Sequence, residues 1–292
     1  MNKVRKAVIP VAGYGTRFLP YTKAVPKAML PVLNKPAIQI ISEEVVKSGI
    51  TDILFVVGYR EEVIEDHFRP SEELDKVLLC HNKNDFYKAE KYPESMANFS
   101  FIRQKELNGT AKAIEIAEDF AAGEPFAVLF GDDVMYNDGA PVIKQLIDLY
   151  EKTGKSVIAT MEVFGSDVEK YGNIGIGEEN DGVMQVTEVI EKPSLSEALS
   201  NNAVIGRYVL SGEVMSMLKK LKPHGKEIFL TDALDKLAKE GKLLASCFEG
   251  TRYDVGDKFG YIKANVDYAL RSKEIGAETA EFIKETAAKL QK

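Results

Sequence analysis

A chain of 292 residues, 45% hydrophobic and 28% charged, has the make-up of an ordinary globular protein, with length for one large domain or two small ones. Its formal net charge of −7 excludes a general binder of nucleic acid or anionic membrane, since both need a broad basic footprint. Two cysteines (Cys80, Cys247) and scattered His67, His81 and His224 exclude a disulfide framework and a histidine zinc site; the cysteines read as small apolar residues in a reducing compartment, and with no long apolar run the expectation is a cytoplasmic protein with no membrane contact.

Residues 4–11 read as a buried strand, followed by a turn bearing Gly13 and Gly15. Pro20, Pro26 and Pro31 keep the next stretch irregular and stiff, and Arg17 with two buried-looking lysines, Lys23 and Lys27, makes it cationic. Such a loop after a first strand suits a polyphosphate, because glycine lets backbone N–H groups approach the ligand. From Pro36 the pattern turns helical until Gly49; residues 52–57 form an apolar strand and 61–68 a short amphipathic helix. This alternation implies parallel pairing in an α/β layer fold. Residues 69–98 are polar and read as a surface excursion with some helix.

A strand at SFIRQ and a helix over about 110–120 follow, then the clearest buried strand, PFAVLF at 125–130, which runs into Gly131-Asp132-Asp133. Residues 141–152 are helical and 156–163 a strand. The segments NIGIG, VMQVTEVIEKP and AVIGRYVLS then read as short strands of an antiparallel or mixed extension. Helices over about 213–220 and 231–240, the run KLLASCFEG, and a helical end from about 257 complete the chain, which divides nowhere cleanly. One domain spanning 1–292 is the expectation.

Taken singly, the motifs are weak. The dinucleotide fingerprint fails because Phe18 stands where glycine is needed, and no Walker-type loop is present. Asp132 and Asp133 end a buried strand, where ligands sit in open α/β sheets, and carboxylates there suit Mg²⁺; a plain turn or cap is the alternative. Asp254, in RYDVGD, is a distant partner for a two-carboxylate site. An isolated Glu191-Lys192-Pro193 reads as a salt-bridged surface turn, and Gln104 with Gly109 flanks a loop able to read a base edge.

The joint pattern is specific. G-x-G-T-R-x-x-P-x-T-K-x-x-P-K-x-M-L-P-x-x-x-K-P, R-Q-K-E, G-D-D, E-K-P, G-R-Y, L-T-D-A and Y-D-V-G-D-K occur in order across residues 13–258. This resembles the bacterial UTP–glucose-1-phosphate uridylyltransferases (UDP-glucose pyrophosphorylases). The resemblance implies a Rossmann-like three-layer α/β sandwich with a mixed, mainly parallel sheet. It also implies Mg²⁺-dependent conversion of UTP and glucose 1-phosphate to UDP-glucose and pyrophosphate. By the same resemblance, Ala12, Gly13 and Gly15 hold the nucleotide and Gln104 and Gly109 face the uracil. Arg17 and Lys27 neutralise phosphates, and Asp132 and Asp254 hold the metal. Tyr171, Gly172, Glu191, Lys192 and Gly206 take the sugar phosphate. A homo-oligomer, dimer or tetramer, is implied as well, with the helical end (about 257–292) a candidate for self-association. Two departures lie near the expected base pocket: Ala28, where the family usually has Glu, and the Leu107–Ala113 loop. The competing readings are a sibling transferase using dTTP or another hexose 1-phosphate, a non-catalytic sugar-nucleotide binder, and a metal-dependent glycosyltransferase.

Overall fold

A computed structural model describes residues 3–290. In chain order, β1 (Lys6–Pro10) leads into a segment of three 3₁₀ turns (Thr16–Phe18, Tyr21–Lys23, Lys27–Met29) and a hairpin of β2 (Pro31–Val32) and β3 (Lys35–Pro36). Then come α1 (Ala37–Lys47), β4 (Asp52–Val57), α2 (Glu61–His67), α3 (Glu72–Cys80), α4 (Asn84–Ser95) and β5 (Asn98–Arg103). The middle holds α5 (Thr110–Glu115), α6 (Glu118–Ala121), β6 (Phe126–Leu129), β7 (Asp133–Tyr136), α7 (Val142–Thr153) and β8 (Ser156–Glu162). After β9 (Asn173–Asn180), β10 (Val183–Ile190) and β11 (Asn202–Leu210) come α8 (Val214–Leu218), α9 (Thr231–Lys239), β12 (Leu243–Cys247), β13 (Thr251–Asp254), α10 (Lys258–Arg271) and α11 (Gly276–Leu290).

Nine strands form one mixed sheet, ordered β5-β4-β1-β6-β11-β8-β12-β10-β9. The first four pair in parallel, as the strand–helix alternation requires. β11 runs antiparallel to both β6 and β8, and β10 antiparallel to β12 and β9, which is the expected extension. Side chains of the central strands alternate between faces. Ala7, Ile9, Ala127 and Leu129 meet α1 and α7, whereas Val8, Phe126 and Val128 meet α5, α8 and α9. Two apolar layers thus cover the sheet, and both faces are buried because the strands are apolar throughout.

Parallel pairing brings the C-terminal ends of β1, β4, β5 and β6 to one edge of the sheet. The chain is drawn tight there. Gly58 after β4 lies so close to the loop after β1 that a Cβ would sit 2.6 Å from the Ala12 carbonyl. The two-stranded ribbon of β7 and β13 aligns Asp133 with Asp254 beside this edge.

Three sequence expectations change. Lys23 is exposed and not buried. The helix over about 110–120 breaks into α5 and α6 at a turn around Ile116 and Ala117. Both cysteines are free and exposed and do not serve as apolar filler. Ala28 is buried under the loop after β1 and lines a cavity of about 60 Å³ with Val11, Lys27, Gly131 and Asp132, which shares Pro10, Gly13 and Asp132 with the larger cleft that holds Gln104 and Gly109. Among the described residues, no helix is long and apolar enough to cross a membrane.

Candidate active site

A cavity of about 530 Å³ opens at this strand-end edge. Ala12, Gly13, Arg17, Gln104, Gly109, Asp132, Tyr171, Gly172, Glu191, Lys192, Gly206 and Asp254 all line it. Residues chosen from a dozen positions spread over the chain therefore share one wall. Gly15 does not reach the cleft: it takes a left-handed φ of 62° and packs on Lys27, where a Cβ would come within 2.8 Å of the lysine Cβ. Its function is to let the turn close under Lys27, and its carbonyl accepts from the Thr22 hydroxyl.

One end of the cleft is built by the loop before α5. Gln104 is buried, its backbone N–H bonded to the Val57 carbonyl, and its side-chain amide reaches toward Asn108. The loop is zipped onto residues 228–230: Ile228 N–H donates to Asn108 O, Ala111 N–H to Ile228 O, and Leu230 N–H to the Thr110 hydroxyl. Gly109 permits this docking with φ 106° and ψ 169°, a conformation open essentially to glycine alone. A Cβ there would lie 2.2 Å from the Ile228 carbonyl oxygen. Gly109→Ala is accordingly expected to weaken nucleotide binding roughly 5- to 150-fold, from about 1–3 kcal/mol of backbone strain. Calorimetric titration with UTP and with UDP-glucose checks this, and unchanged affinities would show that the loop does not form the base wall.

The opposite end is made by two turns held together. Lys192 N–H donates to the Tyr171 carbonyl and Val204 N–H to the Gly172 carbonyl. The Glu191 carboxylate accepts from the Thr231 hydroxyl at 2.9 Å. Lys192 is exposed, with a left-handed φ of 43°, and its ammonium lies 3.7 Å from the Glu191 carboxylate at the wall of the cleft. Gly206 stands where β11 passes β6; a Cβ would fall 2.6 Å from the Asp133 carboxylate.

Between these ends, charges of both signs converge. Lys27 Nζ donates to Asp132 Oδ2 at 2.5 Å, and Arg17 Nη1 to the Gly256 carbonyl at 3.2 Å. A Cβ added at Gly256 would meet Asp132 Oδ2 at 2.6 Å, Asp254 Oδ1 at 3.0 Å and Lys27 Nζ at 3.1 Å. The missing side chain at 256 thus leaves a cradle walled by two carboxylates and an ammonium. Burial pushes the Asp132 carboxyl up, but Lys27 and then Arg252 outweigh it and hold Asp132 below the usual carboxylate range. Burial and the neighbouring Asp132 and Asp133 carboxylates push Asp254 up. Asp132 is compensated by Lys27, whereas Asp254 has Arg252 only at 4.0 Å and the Gly256 N–H at 2.9 Å; two such carboxylates on one cradle are a donor set that fits a hard divalent ion completed by waters and phosphate oxygens. A fully protein-made metal cage is absent among the described residues.

Asp133 and Arg252 were not resolved as partners by the sequence. Asp133 is consumed structurally: one oxygen accepts from Gly206 N–H at 3.0 Å and the other meets Arg252 Nη2 at 2.5 Å. Of the adjacent aspartates, Asp132 is the one left facing the cradle. The spacing of Arg252 and Asp254, two residues apart on β13, was the available signal, because alternate strand residues share a face.

This geometry agrees with what the chain is similar to. A protein of Staphylococcus epidermidis described as a UTP–glucose-1-phosphate uridylyltransferase is 46% identical over 286 residues, covering 98% of this chain and 99% of that one. A solved UDP-glucose pyrophosphorylase complexed with UDP-glucose superposes with a TM-score of 0.85 at 38% identity, over 92% of this chain and 100% of that one. A UTP-bound counterpart from Acinetobacter baumannii gives 0.89 at 30% identity, over 97% and 99%. The family model for nucleotidyl transferases matches residues 6–271, and with these relatives it places the chain in the nucleotidyl transferase family.

Proposed function

We propose that the protein transfers the uridylyl group of UTP to glucose 1-phosphate, releasing pyrophosphate and forming UDP-glucose. The observation that carries the reading is the cleft itself: a glycine-gated pocket at one end, a Glu191–Lys192 turn at the other, and Asp132 and Asp254 where the two meet, with Lys27 bonded to Asp132 from the adjoining small cavity. The 46% identity to a uridylyltransferase over nearly the whole chain supports the same substrates.

In this reading a phosphate oxygen of glucose 1-phosphate forms a bond to the α-phosphorus of UTP. The bond from that phosphorus to the bridging oxygen breaks in line, and pyrophosphate leaves with the electron pair. The nucleophile is already ionised at neutral pH, so no general base is required. Alignment and neutralisation of two polyanions are the main obstacles. Ala12 and Gly13 offer backbone close to the nucleotide, while Gln104 and the Gly109 loop face its base. Arg17, tied to the Gly256 carbonyl, stands over the departing phosphates. Lys27 spans phosphate oxygens at the reacting centre. Tyr171, Gly172, Glu191 and Gly206 orient the hexose, and Lys192 takes its phosphate. Asp132 and Asp254 would hold Mg²⁺, which supplies charge neutralisation between the phosphates.

Pyrophosphate release from a panel of UTP, dTTP and other nucleotides against several hexose 1-phosphates, with and without Mg²⁺, tests the proposal. UTP with glucose 1-phosphate and Mg²⁺ is expected to lead. No turnover with that pair sinks the reading, and preference for dTTP would move the protein to a sibling activity.

The proposal extends to assembly: a single catalytic domain in a homo-oligomer, dimer or tetramer, in the cytoplasm. Phe259, Ile262, Val266 and Leu270 recur at helical spacing along α10 and are 37–65% exposed, an apolar stripe suited to a second copy. Ile262→Asp with Val266→Asp is expected to lower the mass measured by light scattering. An unchanged mass would remove α10 from the interface.

A further inference from the structure

The geometry points to Arg252 as a positioning residue that ties the metal-facing carboxylates to the sugar subsite, an inference that rests on the uridylyltransferase reading. Its guanidinium is almost enclosed, with the side chain 12% exposed, at the wall of the cleft. One edge faces the acids, with Nη2 at 2.5 Å from Asp133 and 4.0 Å from Asp254. The other edge belongs to Tyr171: Nη1 donates to its hydroxyl at 3.2 Å, and the guanidinium lies 5.2 Å from the ring centroid. Tyr171 in turn accepts at its carbonyl from Lys192 N–H and precedes Gly172. Arg252 is thus a rigid brace from the cradle at Gly256 to the turn that receives the hexose.

Its charge has a second consequence. Arg252 partly offsets the carboxylates that would hold the divalent ion, so it lowers metal affinity while it orders the sugar site. A side chain with only a packing function would affect both in the same direction. Arg252 sets them against each other. Lysine at this position would keep the charge but lose the planar fork and the stacking on Tyr171.

Arg252→Gln, Arg252→Lys and Tyr171→Phe are the informative variants. For Arg252→Gln the expected result is about a tenfold rise in KM for glucose 1-phosphate with KM for UTP within twofold, since the charged contacts to Tyr171 are lost. Mn²⁺ binding to the free protein, read by electron paramagnetic resonance, is expected to tighten about threefold. Arg252→Lys should return Mn²⁺ binding to the wild-type value and leave the sugar KM raised. Tyr171→Phe should raise the sugar KM without moving Mn²⁺. An unmoved sugar KM in Arg252→Gln overturns the proposal, as does Mn²⁺ or UTP binding that weakens in step with it. Failure of the function reading looks different: wild-type protein would then make no UDP-glucose, whereas the Mn²⁺ comparison needs no substrate.

Discussion

Replacing Lys27 with alanine is expected to lower kcat for UDP-glucose formation by two to three orders of magnitude while the protein stays folded. Lys27 lies on an irregular loop and is 24% exposed, so its loss opens no large core cavity. Its ammonium is the cation nearest Asp132 and borders the cradle over Gly256. In the free protein it compensates Asp132. With substrates bound, Asp132 and Asp254 would hold the divalent ion, and Lys27 would be released to phosphate oxygens, where negative charge accumulates as the α-phosphorus changes partners. Losing one preorganised donor from such a site costs about 2.7–4 kcal/mol in the transition state. Lys27→Arg keeps the charge but brings a wider, planar head into a cavity of only about 60 Å³ beside Asp132, and it should recover only part of the rate. Rapid-quench measurement of the bond-making step, with the melting temperature as control, decides the matter. A kcat within fivefold of wild type would remove Lys27 from the reacting centre.

The path from sequence to site was uneven for physical reasons. Apolar runs such as residues 52–57 and 125–130 announced buried strands, because both faces of a parallel sheet are covered and no polar alternation interrupts them. A strand followed at once by Gly131-Asp132 announced a ligand edge. Less legible was what depends on pairing between distant segments. The sequence cannot say that Asp133 turns to Gly206 and Arg252 while Asp132 faces the cradle; that follows from the β7–β13 register. Ala28, beside the ligand loop in sequence, lies beneath it in space, next to the cleft. Lys23, also inside the loop, points to solvent, since a 3₁₀ turn brings only some of its residues inward. Least legible was Arg207, a cation within G-R-Y that is fully buried.

Arg207 carries the second large effect. Its guanidinium meets the Glu44 carboxylate through Nη2 at 2.8 Å and Nε at 3.2 Å. Nη2 also donates to the Asp133 carbonyl at 2.6 Å and Nη1 to the Gly206 carbonyl at 2.9 Å. Glu44 completes the network by accepting from Ile143 N–H at the start of α7 at 3.0 Å. One buried ion pair therefore pins α1, α7, β11 and the turn that presents Asp132. Arg207→Met leaves Glu44 buried without its cation and orphans two carbonyls. Removing one member of such a pair costs about 3–5 kcal/mol, a drop in melting temperature of roughly 6–12 °C for a chain of this size. Glu44→Leu alone should cost about as much, since it strands the guanidinium instead. The double variant Glu44→Leu, Arg207→Met should regain much of the stability, because the desolvation of both charges disappears together. It should not regain the activity, since Asp133 and Gly206 would still lack the donors that hold their backbone beside the cleft. Thermal melts of all three variants, with turnover measured well below each transition, separate the two effects. Additive losses across the pair would show that Glu44 and Arg207 act independently, and full activity in the double variant would show that the site does not depend on this brace.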